Sequence, residues 1–547
     1  MGISSTGIGS GLDVESIVTK LMTVEQKPLT AVTTQKTDYQ SKVSAYGTLK
    51  SSLSTFQTAI NALSTPSKFN AQTVTSGNTS VFTATANGSA ALGDYSVTVS
   101  QLAKSQKLAT VGFANTTDTV STGTLTIDFG TYTADPLATP PATHTFTAGT
   151  KSTVNITIDS SNNTLVGVRD AINAANASVS ATIINNGTNN QLVLTSKDTG
   201  EVNNMRISGI PELAYDLSTG VSNMSQTQVA KNALLNVDGI DVVKSSNSIT
   251  DVISGVTLNL LATNASSINL DVASNQDTVK ASVTAFVDAY NKLDTTLRSL
   301  TKYDSTGKSS GALLGDATAR TVINQIKSVM TKTINSGGAI TSLTQIGVGF
   351  QRDGQLALDS TKLTAALTSN FNDIATLFTK SGKATDPQIT YSGSTSKTQA
   401  GTYGIIVSQL GTSLVNAAGT INSVVATGSG TNLIGATGDA SEGLNIKVAG
   451  GALGARGTIN FTIGYAAQLD TLVTSLLSSD GMIASRTDGI ASSITRLDKQ
   501  ADAINLRLTA IEARYRAQFT SLDTLLSSMS TTSSFLTQQL AAINANK

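Results

Sequence analysis

The chain has 547 residues, with 36 Lys+Arg balanced by 36 Asp+Glu, and its formal net charge is zero. A nucleic-acid-binding protein needs a positive field to displace phosphate counterions, so the charge balance argues against that class and against electrostatic membrane binding. With no cysteine and one histidine, the sequence cannot form a disulfide and offers little for a zinc site.

The first predicted element is an amphipathic helix that starts near Ser10, a good N-cap residue. Asp13 and Glu15 then lie in its first turn, where the helix dipole favours acidic residues. Apolar residues follow at alternating spacings of three and four, which predicts one apolar face. These seam residues are Val14, Ile17, Leu21 and Val24. Pro28 should end or kink the helix.

A second helical pattern runs from there to Pro66. Apolar residues recur every seven positions, and a second set lies three residues after the first. The two sets are Tyr39, Tyr46, Leu53 and Ile60, and Leu49, Phe56 and Leu63. A repeat of this kind predicts a helix with a buried face, and the proline should close it.

Between residues 72 and 275 the pattern changes to alternation of apolar and polar residues, which indicates strands. Residues 96–99, 125–127 and 156–158 are examples. Residues 237–240, Val-Asp-Gly-Ile, predict a hairpin with a type I′ turn, since Asp-Gly fits its two positive φ angles. Asn-Asn-Gly at 185–187 predicts another turn.

Helical periodicity returns after Ser274, with apolar residues from Val279 to Leu300 spaced by four and three. Shorter helical patterns extend from Asp316 to Ile334 and from Asp359 to Phe378. A second β-like stretch, residues 386–464, lies between these helices and the C-terminal segment. The chain therefore has helical ends, a β-rich middle and a further β-rich stretch near its C-terminal part.

The second β stretch repeats part of the first. Residues 401–410, GTYGIIVSQL, resemble residues 93–102, GDYSVTVSQL. Residues 457–459, GTI, likewise resemble residues 123–125, GTL. Two copies are too few for a solenoid, so we infer two related β modules.

The C-terminal segment carries a heptad pattern over some thirty residues. One row of apolar positions is Ile494, Ala501, Leu508, Tyr515, Leu522 and Met529. The second row is Leu497, Ile504, Ile511 and Leu525, interrupted by Gln518. A pattern of this length predicts a coiled-coil helix of roughly 50 Å, and the alternative is a long helix packed on its own domain.

We assign no catalytic, cofactor-binding or metal-binding residue, and we predict that the protein is not an enzyme. A Ser/His/Asp site would have to use His144, which we predict to lie in PPATHTF, a proline-rich loop continuous with the predicted loop at residues 136–141. No apolar run approaches the roughly 18 residues of a membrane-spanning helix. The N-terminus has no basic start followed by an apolar run, so we expect no cleaved signal peptide.

Several segments resemble the hook-associated protein 2 family, the filament caps of the bacterial flagellum (FliD). The start, GISSTGIGSGLDVESIVTKLMTVEQKPL, resembles the family's N-terminus. TLVGVRDAINAANASVSATIINNGTNNQLVLTSKDTG resembles the flagellar hook "IN" motif, with Ile172-Asn173 at its centre. Further similarity lies in ALLNVDGIDVVKSSNSITDVISGVTLNLL, GALLGDATARTVINQI, LTQIGVGFQRDGQLALDSTKLTAALTSNFNDIATLF and FLTQQLAAI. Residues 386–464 depart from the family pattern, and we interpret them as an additional surface module.

The resemblance implies a multidomain α+β fold, with a terminal α-helical coiled coil, a helical bundle domain and inserted β-rich domains. The expected parts are a terminal coiled-coil region (1–38 with 480–547), a helical domain (39–71 with 274–385 and 465–479), a β-rich domain (72–105 with 226–273), a β-rich domain containing the IN motif (106–225) and the additional β-rich module (386–464).

The resemblance also implies a function, that of an extracellular filament cap at the distal tip of the flagellum. Such a protein forms a ring-shaped homo-oligomer that retains exported flagellin and promotes its folding and insertion. The implied partners are other copies of the chain, flagellin and the filament tip, the hook–filament junction proteins and a cytoplasmic export chaperone, with export by the flagellar type III route. No nucleic acid and no membrane insertion are expected. The seam residues of the terminal helices are the expected oligomer and filament contacts.

Two other functions remain open at this point. A flagellin or a hook–filament junction protein would share the helical ends and the β-rich middle, although GIGSGLDVESIV resembles the cap rather than flagellin. A flagellar adhesin would bind host glycans through its β modules.

Overall fold

A computed structural model describes residues 13–134, 144–306 and 309–545. The predicted cap residue Ser10 and the predicted loop at 136–141 lie outside the described residues. Contacts divide the chain into two compact units. The first comprises Met1–Lys68 with Gln276–Lys547, and the second comprises Phe69–Asn275.

The helices occupy both ends of the chain and two internal regions. They are α1 (Val14–Glu25), α2 (Lys27–Ser64), α3 (Pro66–Phe69), α4 (Leu165–Ala174), α5 (Gln276–Thr301), α6 (Ala317–Thr331), α7 (Ser360–Phe378), α8 (Tyr465–Leu477) and α9 (Met482–Ala545). Short 3₁₀ turns lie at Glu201–Asn203, Pro211–Leu213 and Leu343–Ile346. At 1.5 Å per residue, the 64 residues of α9 give a helix roughly 95 Å long.

The helix boundaries follow the predicted signals with one change. Asp13 is the N-cap of α1, because its carboxylate accepts from the Ser16 N–H at 3.0 Å, so it is not a first-turn residue as predicted. Pro28 lies in the first turn of α2, after α1 has ended, and Pro66 follows the end of α2. Both predicted proline boundaries are confirmed.

The helical part of the first unit has a core of aromatic and aliphatic side chains. On α2 the predicted heptad residues from Tyr46 to Leu63 are buried, and they face α5, α8 and α9. The Phe56 ring lies 5.6 Å from that of Phe286 and 6.0 Å from that of Tyr290. Burying such rings contributes a few kcal/mol each, and this core fixes the position from which α9 extends.

The second unit is built from antiparallel strands. They are β1 (Gln72–Ser76), β2 (Phe82–Ala86), β3 (Gly93–Gln101), β4 (Lys107–Ala109), β5 (Gly123–Ala134), β6 (His144–Ala148), β7 (Val154–Ile158), β8 (Val179–Asn185), β9 (Asn190–Ser196), β10 (Asn204–Ser208), β11 (Tyr215–Asp216), β12 (Val221–Ser222), β13 (Ser225–Gln228), β14 (Ala233–Val237), β15 (Ile240–Lys244), β16 (Ser248–Ile249), β17 (Val256–Leu260) and β18 (Ile268–Ser274). His144 therefore begins an edge strand rather than lying in a loop.

Two apolar cores organise these strands. We call β1–β3 with β14–β18 the first β module; its sheets run β1-β18-β3-β14-β15 and β16-β17-β2 around one core. We call β4–β13 with α4 the inserted β domain, because it interrupts the module between β3 and β14 and has its own core. On α4, Ile172 is fully buried, and the Asn173 amide exchanges hydrogen bonds of 2.8 and 2.9 Å with the backbone of Ala181. The IN dipeptide thus fastens α4 to β8.

The first unit contains the remaining strands. They are β19 (Val348–Phe350), β20 (Leu356–Leu358), β21 (Lys380–Ala384), β22 (Ile389–Gly393), β23 (Gly401–Gln409), β24 (Ala418–Ile421), β25 (Val424–Val425), β26 (Thr427–Ser429), β27 (Asn432–Ile434), β28 (Asn445–Val448) and β29 (Gly454–Ile463). We call β21–β29 the second β module. Its sheet includes β21, which pairs with β29, so the sheet begins at Lys380, ahead of the predicted boundary at residue 386.

The two β modules share the strand order of their larger sheets, and the smaller sheet of the second module has one additional strand, β26. The larger sheet of the second module runs β21-β29-β23-β24-β25, which matches β1-β18-β3-β14-β15 strand for strand. In the smaller sheets, β22 pairs with β28 as β2 pairs with β17. The second module is therefore a structural repeat of the first in which a short loop between β23 and β24 replaces the inserted β domain.

Equivalent residues make equivalent hydrogen bonds in the two modules. The Gln101 amide donates to the Asn232 carbonyl at 2.7 Å, and the Gln409 amide donates to the Asn416 carbonyl at 3.0 Å. The β14–β15 turn has positive φ at Asp238 (51°) and Gly239 (85°), which confirms the predicted hairpin.

The β24–β25 turn has the same form, with positive φ at Asn422 (55°) and Ser423 (65°). The similarity between residues 123–125 and 457–459 does not belong to this repeat. The former lie in β5 of the inserted β domain, whereas the latter lie in β29, whose counterpart is β18. That part of the predicted repeat was wrong because three residues are too short a match.

Candidate functional site

The two ends of the described chain meet in a helix pair formed by α1 and α9. Val14, Val18 and Met22 of α1 are buried against α9. The residues of α9 and α2 in this cluster are Leu508 and Ile511, which are buried, and Leu29, Ile504, Tyr515 and Phe519, which are partly buried. The cluster is small, with five buried residues.

Charged side chains align the pair. Arg516 of α9 forms a bidentate ion pair with Glu15 of α1, with hydrogen bonds of 2.6 and 2.9 Å. It also forms an ion pair with Glu512 at 2.9 Å. The Arg516 hydrogen bond, followed by its charge, holds the pKa of the Glu15 carboxyl below its usual range. Lys36 of α2 pairs with Asp498 of α9 at 2.5 Å. Exposed pairs of this kind set the register of two helices more than they stabilise them.

The predicted seam residues fall into three groups. Val14, Leu497, Leu508 and Ile511 are buried within the chain. Ile17, Ile494, Ala501, Ile504 and Tyr515 are partly buried. Leu21, Val24, Leu522, Leu525 and Met529 are exposed. Their predicted role as contacts between copies or with a filament stays a prediction, and the exposed group is the one available for it.

On α1 the heptad prediction chose a neighbouring face. Residues four apart form a ridge inclined to the helix axis. In the structure, α1 contacts α9 through the ridge formed by Val14, Val18 and Met22. Leu21 and Val24 therefore lie outside this contact and are exposed. The spacing of four between the ridge residues was the signal that could have found Val18 and Met22.

The half of α9 beyond Phe519 carries a row of exposed apolar side chains. Most of its large apolar side chains are exposed; Met529, for example, is 61% exposed, whereas Leu526 is partly buried. The exposed set comprises Leu522, Leu525, Met529, Phe535, Leu536 and Leu540. A row of this length on one helix is typical of a protein interaction surface.

The other half of α9 is held in the helical core by a buried polar network. The Tyr46 hydroxyl donates to Asp316 Oδ1 at 2.6 Å, and Arg486 of α9 donates to Asp316 Oδ2 at 3.1 Å. Asp316 also caps α6 by accepting from two backbone N–H groups. Burial raises the pKa of the Asp316 carboxyl, but the hydrogen bonds from Tyr46, the α6 backbone and Arg486 together hold it below its usual range. Burial, then the Asp316 bond, raises the pKa of Tyr46 to about 12.

None of the described helices is both long and apolar enough to cross a membrane. His144 stacks edge-on with Tyr132, at 6.2 Å between ring centres.

The sequence matches two family descriptions. "Flagellar hook-associated protein 2 C-terminus" matches residues 230–531, and "Flagellar hook-associated protein 2 N-terminus" matches residues 10–106. Together the matches include both terminal segments and both β modules.

Individual relatives extend over nearly the whole chain. Flagellar hook-associated protein 2 of Escherichia coli strain K12 is 34% identical over 555 residues, covering 98% of each chain. The protein of the same description from Salmonella typhimurium is 31% identical over 559 residues, covering 99% of each. Among solved structures, the D1-D2-D3 domains of the flagellar cap protein FliD from Escherichia coli are 31% identical. They superpose with a TM-score of 0.55 over 82% of this chain and 99% of that one.

Proposed function

This chain belongs to the flagellar hook-associated protein 2 family, and we propose on that premise that it caps the flagellar filament. In this role it is a homo-oligomeric structural protein at the distal filament tip. It retains exported flagellin and promotes its folding and insertion while the filament elongates. The role is mechanical rather than enzymatic.

The observation that carries this proposal is the contrast within α9. One half is fixed in the helical core by Arg486 and Asp316. The other half extends beyond the core with most of its large apolar residues exposed, among them Leu522, Met529 and Leu540. A helix that is anchored in the core through one half and exposes apolar side chains along its other half can contact successive subunits at the end of a filament. Contacts with few ion pairs can break and reform without a large desolvation cost.

The proposed partners follow from the same role. They are further copies of the chain in a ring, flagellin at the filament tip, the hook–filament junction proteins and a cytoplasmic export chaperone. The proposed location is outside the cell at the tip of the flagellum, reached through the flagellar type III export route. The comparisons favour the cap over a flagellin or a junction protein, while glycan binding stays a prediction.

Complementation of a strain that lacks its own cap protein tests the proposal. We expect the chain to restore filament length, swimming and retention of flagellin, with ring-shaped particles visible at filament tips by electron microscopy. Purified protein should also form closed or stacked rings at micromolar concentration by light scattering. Persistent loss of flagellin into the medium, despite normal secretion of this chain, would contradict the proposal.

A further inference from the structure

One end of the second β module exposes apolar side chains. The chain leaves β23 there after Gln409, and β29 begins at Gly454, opposite Val407. Leu414 in the β23–β24 loop is 93% exposed, and Leu453, just before β29, is 60% exposed. Both leucines therefore lie at the same end of the sheet.

The β23–β24 loop at this end lies in an uncharged part of the sequence. From residue 398 to residue 438 there is no Asp, Glu, Lys or Arg. Edges and ends of sheets that face water usually carry charges that discourage association. An apolar end of a sheet with an uncharged β23–β24 loop is therefore suited to contact with protein.

Specific turns hold the two leucines in place. The Thr412 hydroxyl accepts from the N–H groups of Leu414 and Val415, at 3.2 and 3.1 Å. The Thr412 N–H donates to the Val415 carbonyl at 2.7 Å and closes the turn. The side chain of Leu414 is thus presented by a hydrogen-bonded loop.

A nearly buried ion pair supports the loop of Leu453. Arg456 pairs with Asp386 at 2.5 Å and donates to the carbonyl groups of Gly450 and Ala452, at 2.8 and 3.0 Å. An arginine that is only 6% exposed and bonds two loop carbonyls restricts the backbone immediately before Leu453. The loop is therefore preorganised, which lowers the entropic cost of binding through it.

The first β module shows what this end of the fold accommodates. Its equivalent end is covered by the 199–201 segment of the inserted β domain. The Thr199 hydroxyl donates to the Ser245 carbonyl at 2.6 Å, and the Glu201 N–H donates to Asn232 Oδ1 at 2.9 Å.

The second module keeps the equivalent asparagine, Asn416, but its Oδ1 accepts from Gly430 inside the module at 2.8 Å. A β domain of this chain thus covers the end in one copy of the fold, and a bare loop occupies it in the other.

We propose that the end of the second β module, with Leu414 and Leu453 at its tip, docks onto a second copy of this chain. The occupant follows from the repeat, because the same end of the same fold already packs against a β domain of this chain. The zero net charge lets copies approach without mutual repulsion. A contact between this end and a different surface of the neighbour is head-to-tail, which is the type that closes rings. The proposal rests on the ring of the proposed function and adds one of its lateral contacts.

Photo-crosslinking tests the contact directly. A benzophenone amino acid placed at Leu414 of the purified full-length protein should crosslink isotope-labelled to unlabelled chains under ring-forming conditions. The same group at Leu92, which is 59% exposed in the first β module, is the matched control.

Rings that form without more crosslinking at position 414 than at position 92 would overturn this inference alone. Absence of rings from the unsubstituted protein would overturn the ring itself. Crosslinks to added flagellin in preference to a second copy would also overturn the proposed occupant.

A charge substitution provides the second test. Leu414→Asp with Leu453→Asp should raise the concentration for half-assembly by about tenfold or more, since charges placed in an apolar contact must be desolvated. Leu92→Asp with Leu261→Asp, in similarly exposed positions, should leave assembly unchanged. Thermal melting of the monomer should be the same in all variants, because these side chains are exposed. An unaltered assembly concentration for the first pair would overturn the proposal.

Discussion

The two halves of α9 carry the same kind of sequence but have different surroundings. In the first half, Ile483, Ile490 and Leu497 are buried in the helical core, and Leu508 and Ile511 are buried under α1. In the second half, the residues at the same heptad positions are exposed. Heptad periodicity therefore specifies which face of a helix is apolar, but it does not specify whether that face is covered within the chain. Substitutions along α9 and at its anchor can separate these two cases.

The largest loss of stability is expected at the anchor of the buried half. Asp316→Ala removes the cap of α6, the acceptor of the Tyr46 hydroxyl and the partner of Arg486. We expect a loss of about 3 kcal/mol in the free energy of unfolding, because a cap and a buried hydrogen bond are lost together. Denaturant unfolding measures this loss. Asp288→Ala, at an exposed position of α5, is the control and should cost little. Equal effects of the two substitutions would show that the network does not anchor α9.

The next largest effect is expected in the terminal helix pair. Leu508→Asp with Ile511→Asp places two charges in the buried contact with α1, and each buried charge costs several kcal/mol. The pair can separate locally, so the loss is limited to this contact and the β modules should stay folded. Hydrogen exchange should show lost protection in α1, and cells should grow short filaments and release flagellin.

Leu506→Asp is the control for this double substitution, because Leu506 is 76% exposed on the same helix. It should leave the exchange of α1 and the filaments unchanged. Normal filaments with the double substitution would contradict a role of the terminal pair in filament contact.

Sequence reasoning predicted the elements whose signals are local. Pro28 and Pro66 marked helix boundaries, and Asp238-Gly239 marked a type I′ turn, because each residue acts through its own backbone. It missed the extent of the β repeat, since β1 and β21 occupy equivalent places with unrelated residues. It also missed Val18 and Met22, because the choice between two adjacent helix faces depends on the partner helix. No pattern within one chain shows whether another molecule covers the exposed apolar side chains in the second half of α9.

A smaller effect of pH is expected at the same anchor. The pKa of the Asp316 carboxyl is lower in the folded chain than the ordinary 3.8, so its ionised form stabilises the fold. This stabilisation is fully present above about pH 4 and is lost as pH falls through the folded-state pKa. For Tyr46 the sign is opposite, because its pKa is raised from 10.0 to about 12, and its contribution is lost only as pH rises through that window.

Thermal midpoints of the wild-type protein and of Asp316→Asn therefore should differ most between about pH 5 and pH 9 and converge in acid. Circular dichroism melts over this range provide the measurement. A difference that persists undiminished at about pH 2 would show that the stabilisation does not depend on the ionised carboxyl.

The smallest effect on the monomer is expected in the exposed half of α9, where the effect on assembly should be large. Leu525→Asp with Met529→Asp changes two side chains that are exposed among the described residues, so unfolding of the monomer should be unaltered. If these residues contact the filament or a neighbouring copy, the same charges must be desolvated there, and binding should weaken by at least about tenfold. Sedimentation of the variant with filament fragments measures binding, and flagellin released into the medium measures capping.

Ser528→Asp with Ser530→Asp is the matched control, because it adds the same two charges to the same turns of α9 without removing an apolar side chain. A loss of binding with the leucine and methionine changes alone would assign the contact to the apolar row. An equal loss with the serine changes would assign it to charge repulsion, and normal capping by both variants would place the filament contact elsewhere on the chain.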